Sequence, residues 1–300
     1  MRLLSFGENG SSVGVVCHDR TVADVSGLIP KGWDRSRGLM RVLISNFEGL
    51  RDGIEKLASE GNGVSLDSLT LTAPMTDPSK IVAAPVNYLD HMTEMNQASH
   101  IDSLGVFLKA PSSLVGHSGT VKLPYSDRRF DQEGELCFVI GSQARNVKAS
   151  RAFDYIFGFS ILLDITMRGG EDRSTRKSFD TFTPMGPWIV TTDEISSLED
   201  LQISCWVNGK LRQQAKISQL IWGVPELLEY VSSVMTLLPG DIVSTGTPAG
   251  VGPIDNGDVI VAEVSDIGRL KVQVSDEGAT LSVTKGAATG ALGLEGMKRN

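Results

Sequence analysis

Short apolar runs bounded by glycine, proline or aspartate recur through the chain from about residue 138 onward. They cover residues 138–140, 157–163, 188–190, 203–207, 242–243 and 259–264. Bounded runs of this length are typical of strands, and in this part of the chain helical periodicity is clear only over Val224–Val234. The pattern predicts an α+β fold that is predominantly β, with a mixed or antiparallel sheet.

The first 75 residues have a different organisation. Strand-like runs at residues 3–6, 13–17 and 21–25 precede amphipathic stretches near 37–46 and 50–59, so we predict a small α+β lead-in domain at residues 1–75. Pro74 and Pro78 mark a linker, and Ile81 opens a second, strand-rich domain at residues 79–285. Residues 286–300 are small, Gly-rich and aperiodic, which predicts a flexible tail.

Composition narrows the classes of function and location. The formal net charge is −8 and no lysine-arginine cluster is dense, which argues against a nucleic-acid partner. Without a signal-peptide-like start or a long apolar stretch, we expect a soluble, cytoplasmic protein with no membrane contact. Cys17, Cys137 and Cys205 are far apart, which predicts buried free thiols. The missing β-α-β alternation argues against a nucleotide cofactor.

Closely spaced acidic residues lie just ahead of the apolar run at residues 137–140. Glu133 and Glu135 lie two residues apart, so both carboxylates should leave one face of a strand, where Asp131 also points. Such acids repel one another unless a hard metal ion or a proton neutralises them. Asp164 ends another apolar run, either as a cap of the next turn or as a third ligand. Carboxylates without His or Cys favour Mg²⁺ or Mn²⁺ over zinc.

Two further segments carry residues that could act on a substrate. His91 and Glu94 would be neighbours on one helix face, where the carboxylate could orient the imidazole as a general base, although such pairs also occur on solvated helices. Lys109 ends an apolar run, so its ammonium either reaches solvent or provides a fixed charge inside a cleft.

Two motifs near the C-terminal half have both an ordinary and a functional interpretation. Residues 173–180 contain three cations, including Lys177, and are either a solvated loop or part of a site, since an apolar segment follows directly. Residues 238–252 predict a strand followed by a Gly/Thr-rich turn. Its amides and hydroxyls could hold a carboxylate or phosphate, or the segment is an ordinary tight turn.

In this order, the segments resemble the fumarylacetoacetate hydrolase superfamily over roughly residues 79–270. The family patterns match Asn87-Tyr88 with His91 and Glu94, the Phe-Leu-Lys-x-Pro-Ser segment at 107–112, and Asp-x-Glu-x-Glu-Leu at 131–136. They also match Asp164 with Arg168, Lys-Ser-Phe-Asp-Thr-Phe at 177–182, and the Gly-Asp-x-x-x-Thr-Gly-Thr-Pro-x-Gly-Val-Gly run at 240–252.

The resemblance implies a site, a fold and an assembly. It implies a β-sandwich roll, a homodimer and a lid that carries His91 and Glu94. The implied metal ligands are Glu133, Glu135 and Asp164, and the implied substrate contacts are Lys109, Arg168, Lys177 and Thr247. The chain departs from the family at residues 169–173, where many members continue with Asp-Leu-Gln. This departure puts a glutamine contact to the substrate in doubt.

Charge chemistry then suggests a reaction. We predict a metal-dependent hydrolase that cleaves the carbon–carbon bond of a 2,4-dioxoacid, of the acylpyruvate or fumarylpyruvate type, through a chelated enolate. In this mechanism His91, Glu94 and Lys177 are the catalytic residues. We expect such an enzyme to act in the catabolism of aromatic or sugar acids. The alternatives are a 2-oxoacid lyase, such as an oxaloacetate decarboxylase, and an enol–keto isomerase. An idle binding protein is disfavoured because all the predicted metal ligands are present.

Overall fold

Strands form most of the regular structure. The computed structural model describes residues 1–18, 20–30, 32–33, 37–284 and 286. The elements of the N-terminal region are β1 (Arg2–Phe6), β2 (Ser12–Val16), β3 (Thr21–Asp24), α1 (Leu39–Ser45), α2 (Phe47–Ser59) and β4 (Val64–Ser65).

The remaining elements carry the predicted site. Those in its first half are β5 (Ile81–Ala83), α3 (Leu89–Glu94), α4 (Ile101–Leu104), β6 (Phe107–Lys109), β7 (Leu114–Val115), β8 (Thr120–Lys122), β9 (Phe130–Gln132), β10 (Gly134–Ile140), β11 (Ile156–Leu163) and β12 (Thr166–Met167). Those in its second half are α5 (Arg173–Arg176), β13 (Thr183–Thr191), β14 (Gln202–Val207), β15 (Lys210–Lys216), α6 (Val224–Val234), β16 (Ile242–Ser244), β17 (Gly252–Pro253), β18 (Val259–Val264) and β19 (Gly268–Ser275).

Three sheets organise the described residues. The largest has eleven strands in the order β4-β3-β2-β1-β13-β11-β10-β16-β5-β6, with β7 paired to β13. A five-stranded sheet has the order β15-β14-β18-β19-β8, and a small sheet has the order β12-β9-β17. Most pairs are antiparallel, while β5–β16, β7–β13 and β8–β19 are parallel. The predicted α+β fold with mixed sheet is confirmed.

The largest sheet separates two hydrophobic cores. All seven residues of β10 are buried. Leu136, Phe138 and Ile140 face one core, and Cys137 and Val139 face the other, which the N-terminal strands and helices complete. Because successive side chains of a strand leave opposite faces, β10 is held by packing on both sides.

The N-terminal strands extend the same sheet. Arg2 pairs with Val190 and Leu3 with Ile189, so β1 lies directly against β13. The sheet is therefore continuous between the two regions, and the domain boundary near residue 75 stays a prediction. Apart from Gly286, the predicted tail lies outside the described residues.

The predictions about thiols and helices can be compared directly with the structure. Cys17, Cys137 and Cys205 are buried free thiols, as expected. The longest helix of the described residues, α2, has 13 residues, and no described helix combines the length and apolar character that a bilayer crossing needs.

Candidate active site

Three carboxylates meet where two central strands begin and end. Glu133 immediately precedes β10, Glu135 lies on β10, and Asp164 immediately follows β11. The antiparallel register places Gly134 opposite Leu163, and the Asp164 amide donates to the Glu133 carbonyl at 2.8 Å. One oxygen from each carboxylate lies within 4.8 Å of the others, and all three residues are buried. The three carboxylates that the family resemblance implies as metal ligands therefore lie together, and their role as ligands stays a prediction.

Asp131 is not part of the carboxylate triad, which corrects the expectation that it shares a face with Glu133 and Glu135. The chain does not form one continuous strand here: β9 ends at Gln132 and pairs in the small sheet, whereas β10 belongs to the large sheet. The Asp131 carboxylate instead accepts hydrogen bonds from Arg129 at 2.8 Å and Arg168 at 2.6 Å. The break between the strands places this acid between two arginines, one of which, Arg168, it shares with Glu133.

Two buried lysines surround the triad. The Lys177 ammonium donates to Glu133 at 2.7 Å, to Asp164 at 2.6 Å and to the Thr166 hydroxyl at 2.7 Å. The Lys109 ammonium donates to the other oxygen of Asp164 at 2.5 Å. Lys109 is 2% exposed and Lys177 is 5% exposed, so neither ammonium extends into solvent. Lys109 is therefore a fixed, buried charge rather than a side chain that reaches solvent, and Lys177 does not lie in a solvated loop. Contact of Lys109 with a substrate stays a prediction.

Arg168 links the triad to Asp131. Its guanidinium donates to Asp131 at 2.6 Å and to Glu133 at 3.0 Å. Burial alone would raise the pKa of Glu133, but Lys177 and Arg168 outweigh it and hold that pKa well below its usual range. Glu133 is therefore a stable anion in this cluster.

No cation of the described residues contacts the Glu135 carboxylate. Its carboxylate accepts from the Ser244 hydroxyl at 2.5 Å and from the Gly246 amide at 2.9 Å, both neutral donors. Burial, followed by the charge of Asp164, raises the pKa of Glu135 to about 8. Without a cation beside it, the Glu135 carboxyl group therefore favours its protonated form at neutral pH. A donor set made only of carboxylate oxygens, one of them without a cationic partner among the described residues, fits a hard divalent cation.

Gly246 lets the backbone approach this carboxylate. Its φ is +93°, and a Cβ at this position would lie 2.8 Å from the Asn87 Cβ. Any larger residue would displace Asn87 or the amide that Glu135 accepts from. The Gly/Thr-rich turn predicted from the sequence therefore holds a carboxylate of the protein itself.

A cavity of about 320 Å³ lies against the triad, and His91 forms part of its wall. His91 and Glu94 both lie on α3, with His91 Nδ1 at 3.3 Å from Glu94 Oε2. The other Glu94 oxygen accepts from the Gly250 amide at 2.9 Å. Although burial opposes it, these two contacts lower the pKa of Glu94, so the carboxylate is ionised beside the imidazole. The predicted pair is therefore present, and its histidine faces the cavity.

Thr247 also lines the cavity, but its hydroxyl has partners within the protein. It donates to the Gly134 carbonyl at 2.9 Å and accepts from the Gln213 side chain at 2.7 Å. Sequence reasoning missed the supporting residues Gln213, Ser244 and Thr166. Ser244 and Thr166 lie inside recognised segments, whereas Gln213 lies on β15, where no motif signalled it.

The outer wall of the cavity consists of residues 169–173 and Arg176. Glu171 accepts two hydrogen bonds from Arg128, at 2.7 and 2.9 Å, and one from Thr284 at 2.5 Å. Arg176 has a buried Nε without a hydrogen-bond partner. Burial, and next the charge of Arg168, lowers the pKa of Arg176. No sequence argument singled out Arg128, Glu171 or Arg176 for a role.

Comparison with known proteins identifies the family of the chain that forms this cavity. The profile described as fumarylacetoacetate (FAA) hydrolase C-terminal matches residues 80–275, which contain every residue of the carboxylate triad. The chain belongs to the fumarylacetoacetate hydrolase family. The prediction made from its motifs is confirmed.

Family members with similarity along most of the chain include hydrolases. Maleylpyruvate hydrolase of Aquipseudomonas alcaligenes is 41% identical over 293 residues, covering 91% of this chain and 99% of that protein. The crystal structure of maleylpyruvate hydrolase from Sphingobium sp. SYK-6, in complex with manganese(II) and pyruvate, has 37% identity and a TM-score of 0.82. That match covers 94% of this chain and 100% of the other.

A relative with a different activity also matches. Oxaloacetate tautomerase fahd2 of Xenopus laevis, a mitochondrial protein, is 32% identical over 287 residues, covering 90% of this chain and 89% of that protein. The predictions of a hydrolase and of the fold are confirmed by these comparisons, and the isomerase alternative has a counterpart among the relatives. The buried triad could bind a divalent metal, and one relative contains manganese.

Proposed function

We propose that this fumarylacetoacetate hydrolase family member hydrolyses the carbon–carbon bond of a 2,4-dioxoacid of the acylpyruvate or fumarylpyruvate type. One observation carries the proposal: a single cavity brings together three carboxylates, buried cations and a histidine paired with a carboxylate. The similarity to two maleylpyruvate hydrolases along nearly their whole length supports the same reaction class.

The metal would be held by Glu133, Glu135 and Asp164. We infer Mg²⁺ or Mn²⁺ because all three ligands are carboxylates and no His or Cys of the described residues joins them. When bound, the cation would supply Lewis-acid polarisation of the 2-oxoacid oxygens and hold that end of the substrate.

His91 would act as the general base. Glu94 accepts the Nδ1 proton of the ring, which leaves Nε2 free to accept a proton from water at the cavity. The resulting hydroxide attacks the C4 carbonyl of the substrate. The Gly250 amide fixes Glu94 and so fixes the orientation of the imidazole.

Bond cleavage then requires positive charge near the 2-oxoacid end. The C3–C4 bond breaks, its electron pair forms the enolate of pyruvate, and the acyl portion leaves as a carboxylic acid. Lys177 and Arg168 line the cavity and would stabilise this enolate, which is protonated at C3 to give pyruvate. Lys109 holds Asp164 from behind, and Thr247 would complete the contacts to the substrate.

A second candidate is a 2-oxoacid lyase or enol–keto isomerase, favoured by the similarity to an oxaloacetate tautomerase. Decarboxylation and tautomerisation need no attacking water. They would use the same carboxylates and cations but would not need His91 to activate water. The effect of replacing His91 on the reaction rate therefore distinguishes them from hydrolysis.

Product analysis tests the proposal. The enzyme with Mn²⁺ is incubated with acetylpyruvate, fumarylpyruvate and oxaloacetate, and pyruvate, acyl acid and CO₂ are quantified. His91→Ala should lower hydrolysis by about a hundredfold or more, the range for loss of a general base, while Mn²⁺ binding persists. His18→Ala is a matched control, because His18 is an exposed histidine of the N-terminal region and does not line the cavity. Faster CO₂ release from oxaloacetate than cleavage of either dioxoacid would replace the hydrolase with the lyase.

The family resemblance also suggests an assembly and a mobile element. We infer a homodimer in the cytoplasm, and a lid formed by residues 90–105, which include α3 and α4. Light scattering after size-exclusion chromatography would measure the mass of the assembly. A monomer at micromolar concentration would contradict the dimer.

A further inference from the structure

The outer wall of the cavity carries two arginines that pair with no acidic residue in the described part of the chain. Arg173 and Arg176 lie three residues apart on α5, on one face, and both line the cavity. Within the described part of the chain, neither guanidinium forms an ion pair with a carboxylate, and the Nε of Arg176 is buried without a hydrogen-bond acceptor. A buried guanidinium without an acceptor is unfavourable unless a ligand supplies one.

The inner cations differ in this respect. Arg168 and Lys177, which line the same cavity, and Lys109, which lies behind Asp164, each donate to at least one carboxylate of the protein at 3.0 Å or less. Their charges are therefore matched before any substrate enters. The unmatched positive charge of the described cavity wall is on α5.

The acids of the outer wall do not reduce this charge. The Glu171 carboxylate is held by Arg128 and Thr284, as described above. The Asp172 carboxylate accepts from the Ser174 amide at 2.8 Å and is exposed to solvent. Neither acid contacts Arg173 or Arg176, so both guanidinium groups remain available to an anion.

Exposure shows which end of a substrate would reach these arginines. The triad residues are at most 5% exposed, whereas Arg173 and Arg176 are half-buried and adjoin the exposed Asp172. The triad is therefore the deep end of the cavity, and α5 is at its mouth. A substrate whose 2-oxoacid end lies at the triad would extend its other end toward α5.

We propose that Arg176, assisted by Arg173, binds a second, distal carboxylate of the substrate and so selects dicarboxylic over monocarboxylic oxoacids. This inference rests on the proposed function, because it places the 2-oxoacid end at the triad. Arginine suits the role, since its planar guanidinium can form two parallel hydrogen bonds to a carboxylate.

Binding measurements test the selectivity without turnover. Calorimetry on the Mn²⁺-loaded enzyme compares 2-oxoadipate with 2-oxohexanoate, which have the same chain length but differ in the distal carboxylate. The parent should bind 2-oxoadipate more tightly. Arg176→Gln should weaken 2-oxoadipate binding roughly 10- to 100-fold, the range for a hydrogen bond to a charged group, and change 2-oxohexanoate binding less than about threefold.

Two variants act as controls. Arg176→Lys keeps the charge but loses the planar fork, so it should restore part of the preference for 2-oxoadipate. Arg151→Gln removes an exposed arginine that pairs with Asp154 outside the cavity, and it should behave as the parent. Thermal unfolding of each variant shows whether the fold is retained.

The outcomes separate the two proposals. Equal affinity of the parent for both ligands, or an equal loss of both in Arg176→Gln, would overturn the distal subsite. If instead the preference depends on Arg176 but no 2,4-dioxoacid is hydrolysed, the subsite stands and the proposed reaction is wrong.

Discussion

Replacing Asp241 by asparagine should destabilise the fold far from any ligand. Asp241 is fully buried and accepts five hydrogen bonds. One oxygen accepts from the Ser79 amide at 2.9 Å, the Ser79 hydroxyl at 2.6 Å and the Lys80 amide at 3.2 Å. The other accepts from the Lys80 ammonium at 2.6 Å and the Leu238 amide at 2.8 Å. The carboxylate thereby fixes the start of β5 beside β16.

The magnitude follows from the number of donors on each oxygen. In either orientation, the amide nitrogen of asparagine would face at least two donors that it cannot accept from. Breaking a buried charged pair is destabilising by about 3–5 kcal/mol, and Lys80, at 22% side-chain exposure, can partly regain water. We therefore expect Asp241→Asn to lower the free energy of unfolding by about 3 kcal/mol.

Urea unfolding monitored by circular dichroism measures this change. Lys80→Met removes only the ammonium and leaves the other donors to Asp241, so it should be less destabilising than Asp241→Asn. Asp154→Asn is the control, because that acid is largely exposed and its ion pair contributes little. A loss below about 1 kcal/mol for Asp241→Asn, or a larger loss for Lys80→Met, would refute the reasoning.

Three further predictions concern the site. Glu133→Gln, Glu135→Gln and Asp164→Asn should each weaken Mn²⁺ binding about tenfold or more in calorimetry, and binding equal to the parent would exclude the triad. The hydrogen bonds from Arg128 outweigh burial and lower the pKa of Glu171 to about 2. The ionised Glu171 therefore stabilises the fold fully above its ordinary pKa of 4.5, and this stabilisation is lost as the pH falls toward 2. Glu171→Gln should remove that slope from the unfolding free energy between these pH values; an unchanged slope would contradict the shift. Hydrogen exchange over residues 90–105 should slow when oxalate and Mn²⁺ are added, and exchange that is unaffected would exclude a lid.

Hydrophobic periodicity predicted helix α6 well, but it predicted strand β13 only in part. The bounds of α6, Val224–Val234, agree with the apolar periodicity, since Pro225 in its first turn also favours a helix start there. The predicted strand at 188–190 is too short, because β13 covers Thr183–Thr191. Pro184 and Pro187 argued against a strand in its first half, because proline is disfavoured inside sheets. Pairing with β11, with an irregular register between Phe159 and Ile161, nevertheless extends the strand through both prolines.

The site could be predicted only as far as its motifs reach. The Glu133–Glu135 pair and the His91–Glu94 pair follow from short spacings. Asp164, about thirty residues further along the chain, was assigned to the triad only through the family resemblance. Partners brought together by the sheet have no such signal: Arg128 meets Glu171 across 43 positions, and Ser244 meets Glu135 across 109. The same limit explains Asp131, since the strand break depends on which sheet each half joins.

The two-sided packing of β10 ties the carboxylate triad to the first 75 residues. On the face of Cys137 and Val139, the covering side chains come from the N-terminal region, including Phe47, whose ring packs edge-on against Phe157 at 4.8 Å. A shortened polypeptide starting at residue 79 would leave this face open to water as a continuous apolar surface, which favours aggregation. The strand that carries Glu135 would then lose half of the packing that keeps it straight. Transplanting the chemistry of this enzyme into a smaller scaffold would consequently require a new cover for that face as well as the ligands.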